Sequence, residues 1–283
     1  MSYVCLHEDD FEWQALDHER WGGLRVKEII NPANFGSGEF VSGLAELEVG
    51  GKIPLHKTGQ ALTGYILAGS ARLRLGARRV ELDPLSVFYF PAGAPWAIEA
   101  LGPERLRYFY TYACEKLDAP VRWEAASEEE AARLDIVNLP GPNLWAQSED
   151  YERWSFGEPS KGRRMRTRYL FGEKYFSSQS EPIQKEMHVG VAELDPPIHY
   201  TLHYHTQPEI YYILGGEGVV YVEDEEFPVR RGSVLYLGKN VVHGADALGS
   251  EPLKIYYIYG CETEGQALTW TPAEDIYHWP GRI

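Results

Sequence analysis

The feature that most constrains the fold of this chain is an internal repeat with an offset of 147 residues (192 − 45). The segment AELE at residues 45–48 returns as AELD at residues 192–195, and YILAG at residues 65–69 returns as YILGG at residues 212–216. The register holds without a gap from about residue 41 to residue 123. A repeat of this kind indicates one structural unit present twice, so we interpret the chain as a tandem duplication followed by divergence.

Each copy has the pattern of β structure. Residues 64–82 and 211–229 each contain two runs of alternating apolar residues around a turn-like centre, which is typical of a β-hairpin. Short apolar strands interrupted by glycine or proline follow, and aromatic strands close each copy at residues 105–114 and 252–261. Short strands at this spacing favour a sandwich or a barrel. The predicted fold class is therefore all-β, with two tandem barrels.

Helix is sparse, and it marks the predicted boundary between the copies. Ser127 and Glu130 form a Ser-x-x-Glu capping box at the start of a short linking helix. The helix leads to a turn-rich linker that contains two prolines. A chain of 283 residues has room for two domains. The prediction is a first barrel over residues 1–137, a linker over 138–149 and a second barrel over 150–283.

Composition narrows the classes of partner. A net charge of −15 argues against nucleic acid, because phosphate binding needs a basic face. We expect no membrane span, since no apolar run approaches the roughly 18 residues that one requires. The N-terminal residues do not resemble a signal peptide, and three cysteines cannot all pair, so we expect a cytoplasmic protein without disulfides. The expected partner is a small molecule, and aromatic outer strands are compatible with a homodimer.

Four potential metal ligands lie in the second copy. Residues i and i+2 of a strand face the same side, so His203 and His205 present both imidazoles to one face. Glu209 shares that parity, and His243 follows on a later strand. Three imidazoles and a carboxylate suit one divalent transition metal: iron, manganese, nickel, cobalt or zinc. The alternative is a set of histidines without metal, but burying these groups without an ion would leave costly unpaired polar atoms.

The first copy lacks this ligand set. The repeat offset aligns His56 with His203. The other three ligand positions are occupied by Thr58, Leu62 and Trp96. One histidine cannot hold a divalent ion against solvent, so we predict one metal per chain and a structural first barrel. The alternative for the first barrel is an apolar ligand pocket or a pairing surface.

The ligand pattern resembles the two conserved motifs of the cupin superfamily. Residues 203–216, with His-x-His-x-x-x-Glu and then glycine, are similar to the first motif, and residues 232–243 are similar to the second. The second motif departs from the family pattern, because Gly238-Lys239-Asn240 replaces Pro-x-Gly. The resemblance implies a bicupin: two jelly-roll barrels, with His203, His205, Glu209 and His243 binding the metal. It says little about the reaction, because this fold hosts many chemistries.

Further residues near the motifs are candidates for a role in chemistry. His188 precedes the metal motif and is a candidate general base, or a packed histidine. A strand with alternating arginines is either a clamp for an anionic group or a solvated edge with salt bridges. The offset aligns it with Asp17, Glu19 and Trp21, which predicts that it is peculiar to the second copy. Tyrosines either line a pocket or fill the core. The candidate substrate-binding residues are Arg164, Arg166, Arg168 and Tyr211.

Three functional hypotheses remain open from the sequence. The first is a metal-dependent oxygenase of the dioxygenase type that acts on a small polar or anionic molecule, for which we favour iron. The second is a metal-dependent isomerase or lyase of a sugar or keto acid. The third is a small-molecule binder without catalysis.

Overall fold

The computed structural model describes residues 2–16, 21–31, 39–113, 121–134, 165–171, 187–260 and 271–273. Side chains in the strand at 165–171 are described for Met165 alone. The described part of the chain is almost entirely β structure, as predicted. No helix in it is long and apolar enough to cross a membrane.

Twenty-two strands and one α-helix follow one another in the described residues. The strands up to the predicted linker are β1 Tyr3–His7, β2 Gln14–Ala15, β3 Leu24–Ile30, β4 Phe40–Leu47, β5 Lys52–Thr58, β6 Ala61–Ala68, β7 Ser70–Leu75, β8 Arg78–Leu82, β9 Val87–Phe90, β10 Trp96–Leu101, β11 Leu106–Ala113 and β12 Trp123–Ala125. The strands after it are β13 Met165–Phe171, β14 Met187–Leu194, β15 Ile198–Tyr204, β16 Glu209–Gly215, β17 Glu217–Val222, β18 Glu225–Arg230, β19 Ser233–Leu237, β20 His243–Leu248, β21 Leu253–Gly260 and β22 Thr271–Pro272. A short 3₁₀ turn occupies Glu8–Asp10, and helix α1 spans Glu128–Arg133.

The strands of the described ranges form four antiparallel sheets, two in each unit. One unit, Glu8–Ser148, contains a six-stranded sheet in the order β2-β3-β4-β11-β6-β9 and a five-stranded sheet in the order β12-β5-β10-β7-β8. The other unit contains a six-stranded sheet in the order β1-β19-β16-β21-β14-β13 and a five-stranded sheet in the order β18-β17-β20-β15-β22. Each unit is a jelly roll of two facing sheets, which confirms the predicted fold class.

In the two five-stranded sheets, alternation of buried and more exposed side chains places one face in the core. In β7, Ala71, Leu73 and Leu75 are buried while the residues between them are partly exposed. These side chains share a hydrophobic cluster with residues of the other sheet, including Leu62 of β6 and Tyr108 of β11. A period of two is what a strand with one buried face requires. The second unit repeats this arrangement, and β4, β7, β10 and β11 recur at the repeat offset with identical bounds as β14, β17, β20 and β21.

The first strand of the chain belongs to the second unit. Strand β1 pairs antiparallel with β19, with Tyr3 opposite Leu237 and His7 opposite Ser233. The unit therefore comprises Met1–His7 together with Glu149–Ile283. This differs from the predicted first domain of residues 1–137, because pairing between strands distant in sequence leaves no local pattern. The predicted linker at 138–149 lies outside the described residues.

The capping box of helix α1 forms as predicted. The Ser127 hydroxyl accepts a hydrogen bond from the Glu130 amide at 3.1 Å, and the Glu130 carboxylate accepts one from the Ser127 amide at 2.7 Å. Lys57 of β5 donates to the same carboxylate at 2.8 Å. These contacts, the one to Lys57 first, lower the pKa of Glu130 to about 2. The helix is thereby attached to the outside of the first unit.

Strand pairing corrects the predicted counterpart of the arginine strand. Met165 lies opposite Leu194 just as Leu24 lies opposite Leu47, so Arg166 occupies the position of Arg25. The strand is therefore not peculiar to the second copy, because the repeat register shifts by several residues before β4 and β14. Arg25 forms a 2.5 Å ion pair with Glu46. The counterpart of Glu46 is Glu193, which lies opposite Arg166.

Candidate metal centre

Two strands of the five-stranded sheet bring His203 and His243 together. His203 on β15 lies directly opposite His243 on β20, and a register shift between Tyr200 and His203 precedes this pair. The two imidazole centroids are 4.3 Å apart. His205 follows just after β15, and its centroid lies 4.9 Å from that of His243. The candidate ligand nitrogens of the three histidines all lie within 4.8 Å of one another, and all three side chains are buried.

Backbone carbonyl groups orient the three imidazoles. The Nδ1 atoms of His203, His205 and His243 lie 2.9, 2.6 and 2.9 Å from the carbonyl oxygens of Thr201, Gln207 and Val241. A carbonyl oxygen can only accept, so each Nδ1 carries the proton and donates it. The Nε2 lone pair of each imidazole is then available at the centre, which is the tautomer a metal ligand needs.

Glu209 completes the cluster from the facing sheet. It is the first residue of β16, it is fully buried, and it lies opposite Tyr259 and Leu237 of the neighbouring strands. Its Oε2 atom lies 3.2 Å from Nε2 of His205 and 3.2 Å from Nε2 of His243. The structure thus brings together all four residues that the sequence predicted as metal ligands.

The surroundings of His203 and Glu209 favour the protonation states in which each can bind a metal. Burial, followed by the neighbouring His243 and His205, holds the pKa of His203 well below its usual value, so the imidazole is neutral. Burial tends to raise the pKa of Glu209, but contacts with His205 and His243 outweigh it and lower the pKa. Neutral imidazoles and an anionic carboxylate are the forms that bind a divalent cation.

The cluster passes a chemical test for a metal site. Nε2 of His243 and Oε1 of Glu209 are buried without a hydrogen bond to the described residues. Buried polar atoms are normally paired, so these two atoms need an explanation. A divalent cation held by three imidazoles and a carboxylate would satisfy both. The residues present therefore fit a metal.

Tyrosines line the interior around the cluster. Tyr259 contacts His205 edge to face with a centroid distance of 4.8 Å, and Tyr211 stands edge to face with His243 at 6.0 Å. Tyr257 packs against Tyr259, and a β-carbon on Gly190 would collide with the Tyr257 hydroxyl. Burial first, and then the charge of Glu209, raises the pKa of Tyr211 well above 10. Tyr211 therefore remains a protonated donor at neutral pH.

The positions of the tyrosines along their strands decide which of them face the barrel interior. We call the buried apolar residues that surround the metal centre in the second unit the interior cluster. Tyr257 and Tyr259 join the interior cluster together with Tyr211, whereas Tyr236 and Tyr256 are buried outside it. The signal was present in β21, because alternate residues face the same side and Leu253 and Ile255 belong to the same cluster.

The other predicted site residues lie farther from the cluster. His188 is buried on β14, opposite Tyr259, and Tyr259 in turn lies opposite Glu209. With strands about 4.8 Å apart, the backbones of His188 and Glu209 are separated by about 10 Å. Arg166 and Arg168 are on the edge strand β13, separated from β16 by β14 and β21. Arg164 lies outside the described residues.

In the first unit the matching positions are filled by aromatic packing. His56 lies opposite Trp96, as His203 lies opposite His243, and its Nδ1 atom lies 2.7 Å from the Pro54 carbonyl oxygen. Trp96 is fully buried, with its centroid 3.8 Å from that of His56, and Trp123 stacks on His56 at 4.5 Å. Thr58 donates to the Gln60 carbonyl at 2.8 Å, the counterpart of the bond from His205 to Gln207. The first unit keeps the backbone geometry of the site but has only one of its four ligands.

Comparison with known proteins agrees with this duplicated architecture. The family model described as the cupin domain matches residues 43–112 and again residues 190–259. The dimethylsulfoniopropionate lyase DddW of Ruegeria pomeroyi is 31% identical over 120 residues, which cover 42% of this chain and 74% of that protein. The chain belongs to the cupin family. This bicupin also matches the uncharacterized protein MJ1618 of Methanocaldococcus jannaschii, with 42% identity over 55 residues, 19% of the chain and 44% of that protein.

Nearly the whole chain also superimposes on the solved structure of a decarboxylase. The oxalate decarboxylase of Bacillus subtilis superimposes with a TM-score of 0.67 and 17% identity, over 96% of this chain and 78% of that one. A second structure of the enzyme, from a study of its Mn(II) centres, gives a TM-score of 0.66 and 18% identity, over 95% of this chain and 79% of that one. At this identity the likeness shows the fold alone.

Proposed function

We propose that this bicupin is a metal-dependent lyase that cleaves a small carboxylic acid at the centre in its second unit. The observation that carries the proposal is the buried cluster of three imidazoles and one carboxylate, with a protonated tyrosine beside it. DddW is named as a lyase and the Bacillus subtilis enzyme as a decarboxylase, and the substrate named for each is a small carboxylate. Neither name supports the oxygenase that we favoured from the sequence.

In this proposal His203, His205, Glu209 and His243 hold one divalent metal. A bound metal would act as a Lewis acid toward a carboxylate oxygen of the substrate. The carbonyl groups of Thr201, Gln207 and Val241 keep the imidazoles in register, so the centre is preorganised before substrate arrives.

In this proposal the surrounding tyrosines supply a proton donor and limit the access of water to the site. Tyr211 holds a proton on its hydroxyl, because burial and the charge of Glu209 both oppose ionisation. In the proposal it donates a hydrogen bond to the developing negative charge on the substrate. Tyr259 packs against the buried imidazole of His205, which limits water around that ligand. A dry site strengthens every one of these electrostatic contacts.

The experiment begins with protein purified without added metal. We expect elemental analysis to find about one divalent transition metal per chain, and His205→Ala to lose it while melting near the wild-type temperature. Two tightly bound equivalents per chain would contradict a first unit filled by aromatic packing. Which metal is present decides between manganese, as in the decarboxylase, and the iron that we favoured from the sequence.

Turnover is then measured by NMR with a panel of small carboxylates, oxalate and dimethylsulfoniopropionate included, with and without oxygen. A lyase gives product without oxygen, whereas turnover that requires stoichiometric oxygen would establish an oxygenase instead. Tyr211→Phe should lower kcat by about 10²-fold with unchanged metal content, as expected for loss of a proton donor. Tyr236→Phe is the matched control, because Tyr236 is equally buried outside the interior cluster.

A further inference from the structure

The residue just before His243 has an unusual partner. Val242 lies in the segment between β19 and β20, immediately before the first residue of β20. Its carbonyl oxygen accepts from the Glu223 amide at 2.8 Å, and its own amide donates to Oε1 of Glu223 at 3.1 Å. One residue in the turn between β17 and β18 therefore satisfies both backbone groups of Val242.

These two bonds extend the ladder between β17 and β20 by one step. The last regular pair is Val222 with His243, so Glu223 and Val242 are the next pair outward. In a regular antiparallel pair the return bond would go to a backbone carbonyl. Here the chain turns away at Glu223, whose φ of 54° lies in the left-handed region, and the side-chain carboxylate accepts the bond instead.

The first unit shows the same turn without this bond. At the repeat offset Glu223 corresponds to Gly76, which has a φ of 59° and whose amide donates to the Pro95 carbonyl at 2.8 Å. Pro95 has no amide hydrogen and Gly76 has no side chain, so the second bond cannot exist there. Glycine is the default in this strained conformation. A glutamate there, in the unit that contains the imidazoles, indicates that the carboxylate has a function.

That function follows from the neighbouring contacts. Fixing Val242 fixes the backbone immediately before His243, including the Val241 carbonyl that accepts from His243 Nδ1 at 2.9 Å. The other end of the segment is held by the Asn240 amide, which donates to the His205 carbonyl at 2.8 Å. The segment is thus fixed at one end to the backbone of the ligand His205 and at the other end to the turn after β17.

We propose that Glu223 is a positioning residue for the metal centre: its carboxylate fixes the Val242 amide and thereby aims Nε2 of His243 at the ion. The inference rests on the proposed metal centre. Glu223 makes no contact with the ion or the substrate in this role. Its effect is on metal affinity and coordination geometry, as is common for groups that hold a ligand in place.

The test is a titration of the metal-free protein with Co(II), followed by visible absorption and calorimetry. Glu223→Gly reproduces the turn of the first unit, so the fold is expected to remain intact. We expect it to weaken Co(II) binding by about 10- to 100-fold and to shift the absorption bands. Glu223→Gln keeps an oxygen acceptor and should stay within about threefold of wild type.

A second variant separates positioning from charge and from strain. Adding Val242→Pro to Glu223→Gly removes the amide that was left without an acceptor and copies the Gly76 and Pro95 pair, so part of the affinity should return. Glu226→Gln removes the same charge from an exposed position in β18 and should leave binding unchanged. An equal loss in Glu226→Gln would overturn the positioning role in favour of a general charge effect.

The outcomes also separate this inference from the proposed metal centre. If the wild-type protein and His205→Ala bind Co(II) alike, the proposed centre fails, and the role of Glu223 fails with it. If His205→Ala abolishes binding while Glu223→Gly keeps the wild-type affinity and spectrum, the centre stands and the positioning role alone is rejected.

Discussion

At the scale of single residues, the sequence predicted the cluster well because its evidence is local. The His-x-His spacing fixes the shared face of two ligands, and the repeat offset identified the residues that replace three ligands in the first unit. Tyr259 and Glu223 were missed for a physical reason. Their roles depend on which strand lies opposite them and on a turn conformation, and neither property is visible in spacing.

The burial of His203 predicts that the stability of the metal-free protein depends on pH. Its pKa is held well below 6.5 in the folded protein, whereas in the unfolded chain it returns to about 6.5. Below pH 6.5 the unfolded state therefore binds more protons, and the free energy of unfolding of the metal-free protein should fall with falling pH. The slope is at most about 1.4 kcal/mol per pH unit for one proton.

The measurement is urea denaturation in the presence of a chelator between pH 7.5 and pH 5. His203→Gln cannot take up this proton, so its stability should depend less steeply on pH. Identical slopes in the variant and the wild type would show that His203 does not carry the effect.

At the scale of elements, strand β1 is the part of the fold that the sequence did not assign. Residues 3–7 form a short half-buried strand, and the contact between His7 and Arg231 joins positions 224 residues apart. No periodicity within a segment can reveal a partner at that distance. The strand also covers β19, which lies beside the strand that carries Glu209.

Cys5 provides a probe of this strand. Burial raises the pKa of its thiol to about 11, so at pH 8 its thiolate fraction is far below that of an ordinary cysteine. We expect iodoacetamide to label Cys5 in the native protein roughly 100-fold more slowly than a free thiol, as followed by peptide mass spectrometry. The rate should rise as the pH approaches 11.

A charge in the strand provides the comparison. Leu6→Asp should weaken the pairing of β1 with β19 and speed the labelling of Cys5, without changing the strands of the first unit. If labelling of Cys5 is fast already in the wild-type protein, strand β1 is not held against β19 in solution.

At the scale of the whole molecule, the two copies have the same architecture, but only the second has the candidate metal ligands. Ten strands of each unit occur in the same order, yet aromatic side chains fill in one unit the positions that the buried polar cluster occupies in the other. A Trp96→Ala substitution should therefore destabilise the first unit by about 3–5 kcal/mol, because it empties the centre of that core. Calorimetry should show this as a lower melting temperature, with the metal content of the protein unchanged. Loss of metal in the folded variant would contradict such a division.

The position of β1 has a consequence for the order of events during synthesis. This strand precedes the first barrel in the sequence, whereas its partner β19 follows that barrel. A ribosome therefore releases one edge of the second barrel before it has made any of the rest. Strand β1 therefore lacks its partner β19 while the first barrel is synthesised. The second barrel can close only after strand β19 has been synthesised.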